Sequence, residues 1–441
     1  MTKSPTSIRH VFARQIFDSR GRPTVEAEVT LANDASGRAA APSGASRGAA
    51  EAFELRDGDP DRFEGRGVTA AVAAVNGEIA RALIGRGAVD QRGVDAVMRE
   101  LDGTSRLSRL GGNAILAVSL ATARASATSL GQPLHWRLAD LAGVTAPTMP
   151  MPMVNILSGG LHAGRGMDVQ DFLVIPVGAT SYAQALEWSL RVRAAAATLC
   201  EEAGLTTLLA DEGGLSPGFD DGARALEMMA GAIERAGLRP GEDAAVALDI
   251  AASSLVDGEG RYDLRRAGRV LDSRQMIDLL SDWTRRFPIV SIEDGLGEED
   301  WSAWPALTRR LGHIQLVGDD LFATQPDRIA RGARDGAANA ALIKVNQNGT
   351  LSGTLDALDA AQAAGFAAVV SARSGETDDA FIADLAVGVA AGQIKIGSVR
   401  NAERLAKYNQ LLRVEEEGLP FAGFAGPWAS RPRQSVGSSN A

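Results

Sequence analysis

The sequence predicts an α/β protein: a (β/α) barrel preceded by a smaller α+β domain. Three observations carry that prediction. Short, β-rich apolar runs recur through the later two-thirds of the chain, helical stretches separate them, and most runs end in a charged side chain. Repeated β-then-α units close into a barrel whose strand carboxyl ends share one mouth.

The N-terminal part has a different grammar. Residues 8 to about 60 read as strands: "PTVEAEVTLA" alternates in part between apolar and polar, and "RDGDP" is a turn. Residues 68 to 140 read as helices. "VTAAVAAVNGEIARALIG" and "GGNAILAVSLATARASATSL" place apolar residues at i, i+3, i+4 and i+7. Strands followed by helices predict an α+β domain over residues 1–145. "TAPTMPMP", with prolines at 147, 150 and 152, reads as the linker.

The barrel is expected over residues 146–425. Its candidate strands are "MVNIL", "FLVIPV", "TLLADEGG", "AVALDIAAS", "IVSIEDGL", "IQLVGDDL", "ALIKVNQ", "AAVVSARS" and "QIKIGS", and the early units are expected to be irregular. The tail 426–441, "GPWASRPRQSVGSSNA", is expected to be disordered.

Composition excludes several function classes. The 441 residues carry a net charge of −10, with no run of lysines or arginines, which argues against a nucleic-acid partner. The single cysteine, Cys200, rules out an internal disulfide and fits a reducing compartment. It lies in an Ala-rich helical stretch and is expected in the core. No apolar run approaches about 20 residues and the N-terminus has no apolar signal core, so no membrane association and a cytoplasmic location are expected.

The strand ends carry the chemistry. Asp249 ends "VALD", Glu293 and Asp294 end "VSIED", and Asp319 and Asp320 end "LVGDD". Lys344 ends "LIK", Arg373 and Ser374 end "VVSARS", and Lys395 ends "QIK". A lone Asp there is ordinarily a turn residue or helix cap. Capping does not explain the order acid, acid, acid, Lys, Arg, Lys. Asp249, Glu293 and Asp319 are hard oxygen donors suited to Mg²⁺. Zinc fits poorly with four His and one Cys in the chain. A lysine among cations and a metal is expected to have a depressed pKa and to act as a base. Metal plus lysine is equipment for removing a proton α to a carboxylate.

At this point the residues resemble the enolase (phosphopyruvate hydratase) family over essentially the whole chain. The matching segments include "DSRGRPTVEAEV", "APSGAS", "ELRDGD", "GGNAILAVSLA", "ADEGG", "IVSIEDGL", "KVNQNGTLS", "RSGETDD" and "ERLAKYNQLLRVEE". The resemblance implies an enolase-type irregular (β/α)8 barrel with an N-terminal α+β capping domain. Proton abstraction beside a metal-bound carboxylate is chemistry for which this superfamily is itself the standard example.

By the same resemblance, Asp249, Glu293 and Asp319 match the ligands of a tightly held Mg²⁺. Ser46 matches a loop serine that reaches a second Mg²⁺ brought with substrate. Lys344 matches the base at C2, and Lys395 the residue beside it that holds the substrate carboxylate. Glu212 matches the acid that helps the C3 hydroxide leave. Arg373 and Ser374 match the phosphate grip, His162 an active-site histidine, and Gln170 a pocket residue. The implied partners are small anionic phosphorylated substrates and further copies of the chain, as a homodimer or larger homo-oligomer.

The sequence departs from the family pattern at the site. Ala372 replaces a histidine, Asp171 a glutamate and Arg47 a threonine; Arg165 follows His162 where the family is small or neutral, and Ser158 replaces an asparagine. The enolate-forming half is kept, whereas the dehydrating half is rebuilt. Extra room and extra arginines suit a second anionic substrate, since arginine binds phosphate and carboxylate bidentately. The enolase-like carboxyphosphonoenolpyruvate synthases fit that pattern narrowly better than an ordinary hydratase or a non-catalytic binding protein. No nucleotide-binding fingerprint supports it.

Overall fold

The computed structural model describes residues 4–45 and 48–425. Ser46, Arg47 and the tail 426–441 therefore lie outside the described residues.

Strands β1 (Ile8–Phe17), β2 (Pro23–Leu31) and β3 (Ser36–Ala40) form an antiparallel sheet in that order. Alternation sets its inner face: Val25, Ala27, Val29 and Leu31 are all fully buried. The strands stop earlier than the sequence suggests. Residues 41 to 60 form no strand, because their backbone crosses to the barrel instead. Ser43 pairs with Gly375, and the Ala52 amide donates to the Gln347 carbonyl at 2.8 Å.

Helix Gly112–Leu130 covers the sheet. At Gly37 in β3, a Cβ would overlap the helix backbone at Ala121 and Ala125, so the close approach requires glycine. The helix also faces the barrel layer, and it is buried nearly all round rather than along one stripe.

The barrel begins with β4 (Met151–Ser158), β5 (Asp171–Ile175) and β6 (Ala245–Asp249). A small hairpin, β7 (Tyr262–Leu264) and β8 (Arg269–Leu271), stands outside it. The barrel continues with β9 (Ile289–Glu293), β10 (Gln315–Gly318), β11 (Ala340–Ile343), β12 (Ala367–Ser371) and β13 (Gly392–Gly397), and closes β13 onto β4. Eight of the nine predicted runs are these strands. The ninth, "TLLADEGG", is a loop that turns back on itself, with the Ala210 amide bonded to the Gly214 carbonyl at 2.9 Å.

The irregularity is in β5, which runs antiparallel to both β4 and β6. Antiparallel neighbours need no helical crossover, so the short segment 159–170 joins β4 to β5. The reversal brings the first residue of β5, Asp171, to the mouth formed by the carboxyl ends of the other strands, in register with Asp249, itself in register with Glu293. Below the mouth, inward positions form an apolar plug that includes Ala247, Val317, Leu342 and Val369. Two residues further along each strand, the same face presents Asp249, Asp319, Lys344 and Ser371, as a period of two dictates.

Candidate active site

A cleft of about 490 Å³, open to solvent, occupies the mouth. Of the predicted site residues, it is lined by His162, Gln170, Glu212, Asp249, Asp319, Lys344, Ala372, Arg373, Ser374 and Lys395. Residues separated by more than 200 positions meet because every strand delivers its end to one rim. Glu293 and Asp171 sit behind this lining, 2% and 0% exposed.

Acids and lysines interlock on one side. Lys395 Nζ lies 2.8 Å from Asp249 Oδ2 and 2.6 Å from Glu293 Oε2. Lys344 Nζ donates to Asp319 Oδ2, and Gln347 Nε2 donates to Asp319 Oδ1 at 2.8 Å. Burial and the nearby Asp249 push the Glu293 carboxyl up to about 8, against the pull of Lys395. Burial opposes ionisation of Asp319, but Lys344 outweighs it and holds the carboxyl below its ordinary value.

The lysines sit among acids in the metal-free chain. Burial disfavours charge on both, yet Asp319 raises the pKa of Lys344, and Asp249 and Glu293 raise that of Lys395 well above the ordinary value. Carboxylates, rather than other cations, dominate the surroundings of each ammonium group.

The side of the cleft that carries Arg373 and Ser374 draws on residues that sequence reasoning missed. Arg373 Nη1 is 3.0 Å from Glu51 Oε2 and 3.0 Å from Asn346 Oδ1. Arg20 donates to Ser374 Oγ at 2.9 Å and to the Ser43 carbonyl at 3.0 Å. Arg404, fully buried, donates to the carbonyls of Arg373 (2.7 Å), Ser374 (2.7 Å) and Ile396 (3.0 Å), and so ties the Arg373 loop to β13. Arg20 and Arg404 both lie inside the quoted segments "DSRGRPT" and "ERLAKYNQ"; their value was present as sequence, but their targets were not.

On the third side, His162 Nδ1 is 3.1 Å from Asp171 Oδ2, and its Nε2 is 3.9 Å from Glu212 Oε1. Burial disfavours a charged imidazole, but Asp171 and Glu212 outweigh it and raise its pKa to about 9. Glu212 in turn is held below its ordinary value by His162 despite burial.

Comparison with known families decides the lineage. Residues 8–138 match the enolase N-terminal domain, and residues 146–432 match the enolase C-terminal TIM barrel domain. The chain belongs to the enolase family.

Within this enolase-family framework, three departures take definite positions. Ala372 lines the cleft with its amide bonded to the Lys395 carbonyl at 2.9 Å, so a methyl group forms the wall there. Asp171 is withdrawn from the cleft and bonded to His162. Arg165 is exposed on the loop after His162 and does not line the cleft. Of the mouth's predicted residues, Ser46 and Arg47 lie outside the described segments.

A divalent cation fits the donor set of an enolase-family mouth. Asp249, Glu293 and Asp319 are three buried carboxylate residues, and burial, with repulsion from Asp249 second, raises the Glu293 pKa, a cost that a cation would relieve. The tightest acidic groupings among the described residues are two others, Asp294–Asp319–Asp320 and His162–Asp171–Glu212, each with donor atoms within 4.8 Å of one another. Their oxygens are already committed, as those of Asp319 are to Lys344 and Gln347. Asp294 spends both oxygens on the amides of Asp319 and Asp320, at 2.9 and 2.8 Å. Asp171 spends its own on His162, Asn155 and Ser158. Among the described residues, no single helix is long and apolar enough to cross a membrane.

Proposed function

We propose that this chain is a Mg²⁺-dependent enzyme that removes the C2 proton of 2-phosphoglycerate and yields an enolpyruvyl product. We further propose that it acts as a carboxyphosphonoenolpyruvate synthase, joining the 2-phosphoglycerate-derived unit to a nucleotide-activated phosphonoformate. The observation that carries this reading is Ala372 in the cleft wall beside Lys395 and Arg373, where a small side chain leaves room next to two cationic groups.

Lys344 is the base in this reading, acting as the neutral amine, with Asp319 positioning its Nζ. Lys395 faces the substrate carboxylate. Arg373 and Ser374 hold the phosphate, with Arg20 fixing Ser374 and Glu51 fixing Arg373. Asp249, Glu293 and Asp319 would hold Mg²⁺, which would supply positive charge against the substrate carboxylate and would draw on the carboxylates that face the lysines. A second reading, ordinary dehydration to phosphoenolpyruvate, draws support from Glu212, which remains in the cleft beside His162.

The deciding experiment combines Mg²⁺, 2-phosphoglycerate and deuterated solvent. NMR follows exchange of the C2 proton, and ultraviolet absorbance follows phosphoenolpyruvate. Exchange with little dehydration supports the synthase, and consumption of a phosphonoformate nucleotide then completes the case. Fast dehydration sinks the synthase reading, and absence of exchange sinks proton abstraction altogether.

A further inference from the structure

Asp171 is held by more than His162. Its Oδ1 accepts from Asn155 Nδ2 at 2.6 Å and from Ser158 Oγ at 2.8 Å. Asn155 Nδ2 also donates to Ser158 Oγ at 2.9 Å, so the hydroxyl accepts one bond and gives another. All three side chains are fully buried. Gly214, two residues beyond Glu212, closes over this group: a Cβ there would overlap Ser158 Oγ and lie 2.9 Å from Asn155 Oδ1. The Glu212 loop is also tied to the His162 loop, since the Asp211 amide donates to the His162 carbonyl at 3.2 Å.

We propose that Asn155 and Ser158 are positioning residues that fix one oxygen of Asp171, so that its other oxygen holds His162 Nδ1 and turns Nε2 toward Glu212 in the cleft. The inference rests on the reading of this cleft as the reaction site. A carboxylate with both oxygens committed cannot swing, and an imidazole bonded to it at Nδ1 is held in one orientation. Asp171 then acts through His162 rather than on substrate, which accounts for its absence from the cleft lining. Ser158 and Asp171, two of the departures from the family pattern, are direct hydrogen-bond partners.

The test uses Ser158→Ala, with Asn155→Leu as a second variant and circular dichroism to confirm folding. Nitrogen-15 NMR of the labelled histidines, assigned with His162→Gln, reads the Nδ1 environment without turnover. Ser158→Ala is expected to shift the His162 Nδ1 signal and lower kcat about tenfold, roughly the worth of one hydrogen bond, with little change in KM. In a His162→Gln background the same substitution is expected to cost nothing further. An unmoved Nδ1 signal, or a kcat loss that persists in the His162→Gln background, overturns the positioning role. Wild-type protein with no C2 exchange, but with the Nδ1 shift in Ser158→Ala, overturns the proposed function and leaves the hydrogen-bond assignment standing.

Discussion

Glu51, from the N-terminal domain, pairs with Arg373, from the end of β12, with Oε2 3.0 Å from Nη1 and both side chains about 95% buried. The bond joins the two domains at the part of the cleft lined by Arg373. Removing one partner of a buried pair strands the other charge. Glu51→Ala is therefore expected to cost roughly 3 kcal/mol of stability, read from denaturant unfolding, and to raise KM for a phosphorylated substrate more than it lowers kcat. Unchanged stability would mean that the Glu51–Arg373 pair contributes little to the fold.

Metal binding gives a second expectation. A ligand that binds only the folded state stabilises it, by about 2.7 kcal/mol at a hundredfold excess over Kd. Mg²⁺ is expected to raise the melting temperature of the wild-type chain, and Asp319→Asn to abolish most of that increase. A variant that responds to Mg²⁺ as the wild type does would place the ion elsewhere.

Lys344→Met removes the proposed base while leaving Lys395 in place. C2 exchange is expected to fall by about 10²-fold or more. Exchange that survives in Lys344→Met and disappears in Lys395→Met would reverse the two assignments.

The His162–Asp171 pair predicts a pH dependence of known sign. The histidine pKa is about 9 in the folded chain and about 6.5 when unfolded. Its contribution to stability is then fully present below about pH 6.5 and is lost as pH rises through 9. The stability difference between wild type and His162→Gln is expected to shrink across that window. A difference that grows with pH contradicts a charged imidazole at this position.

The departures themselves can be reversed. Ala372→His, Asp171→Glu and Arg47→Thr together are expected to raise 2-phosphoglycerate dehydration over the parent chain. No gain in the triple variant means that these positions do not set the reaction.

Much of this was legible because barrel geometry converts sequence order into spatial order. Asp249, Asp319, Lys344, Arg373 and Lys395 each close an apolar run, and strand ends in a barrel share one rim. The sequence overreached where local pattern lacks its partner. "TLLADEGG" has the composition of a strand, but Gly214 must approach Ser158 and Asn155, and the segment loops instead. Residues 41–60 lose their strands to bonds made with a barrel that is distant in sequence.

The sequence by itself determined the fold class, the order of the strand-end groups and the family, because these follow from periodicity and from residue type at known spacing. Only the tertiary structure decided which way each charge is satisfied. Coulomb and desolvation effects depend on distances of a few ångströms between residues hundreds apart. Hence Lys344 and Lys395 are raised by the acids they face, Asp171 turns away from the cleft toward His162, and Arg20 finds Ser374.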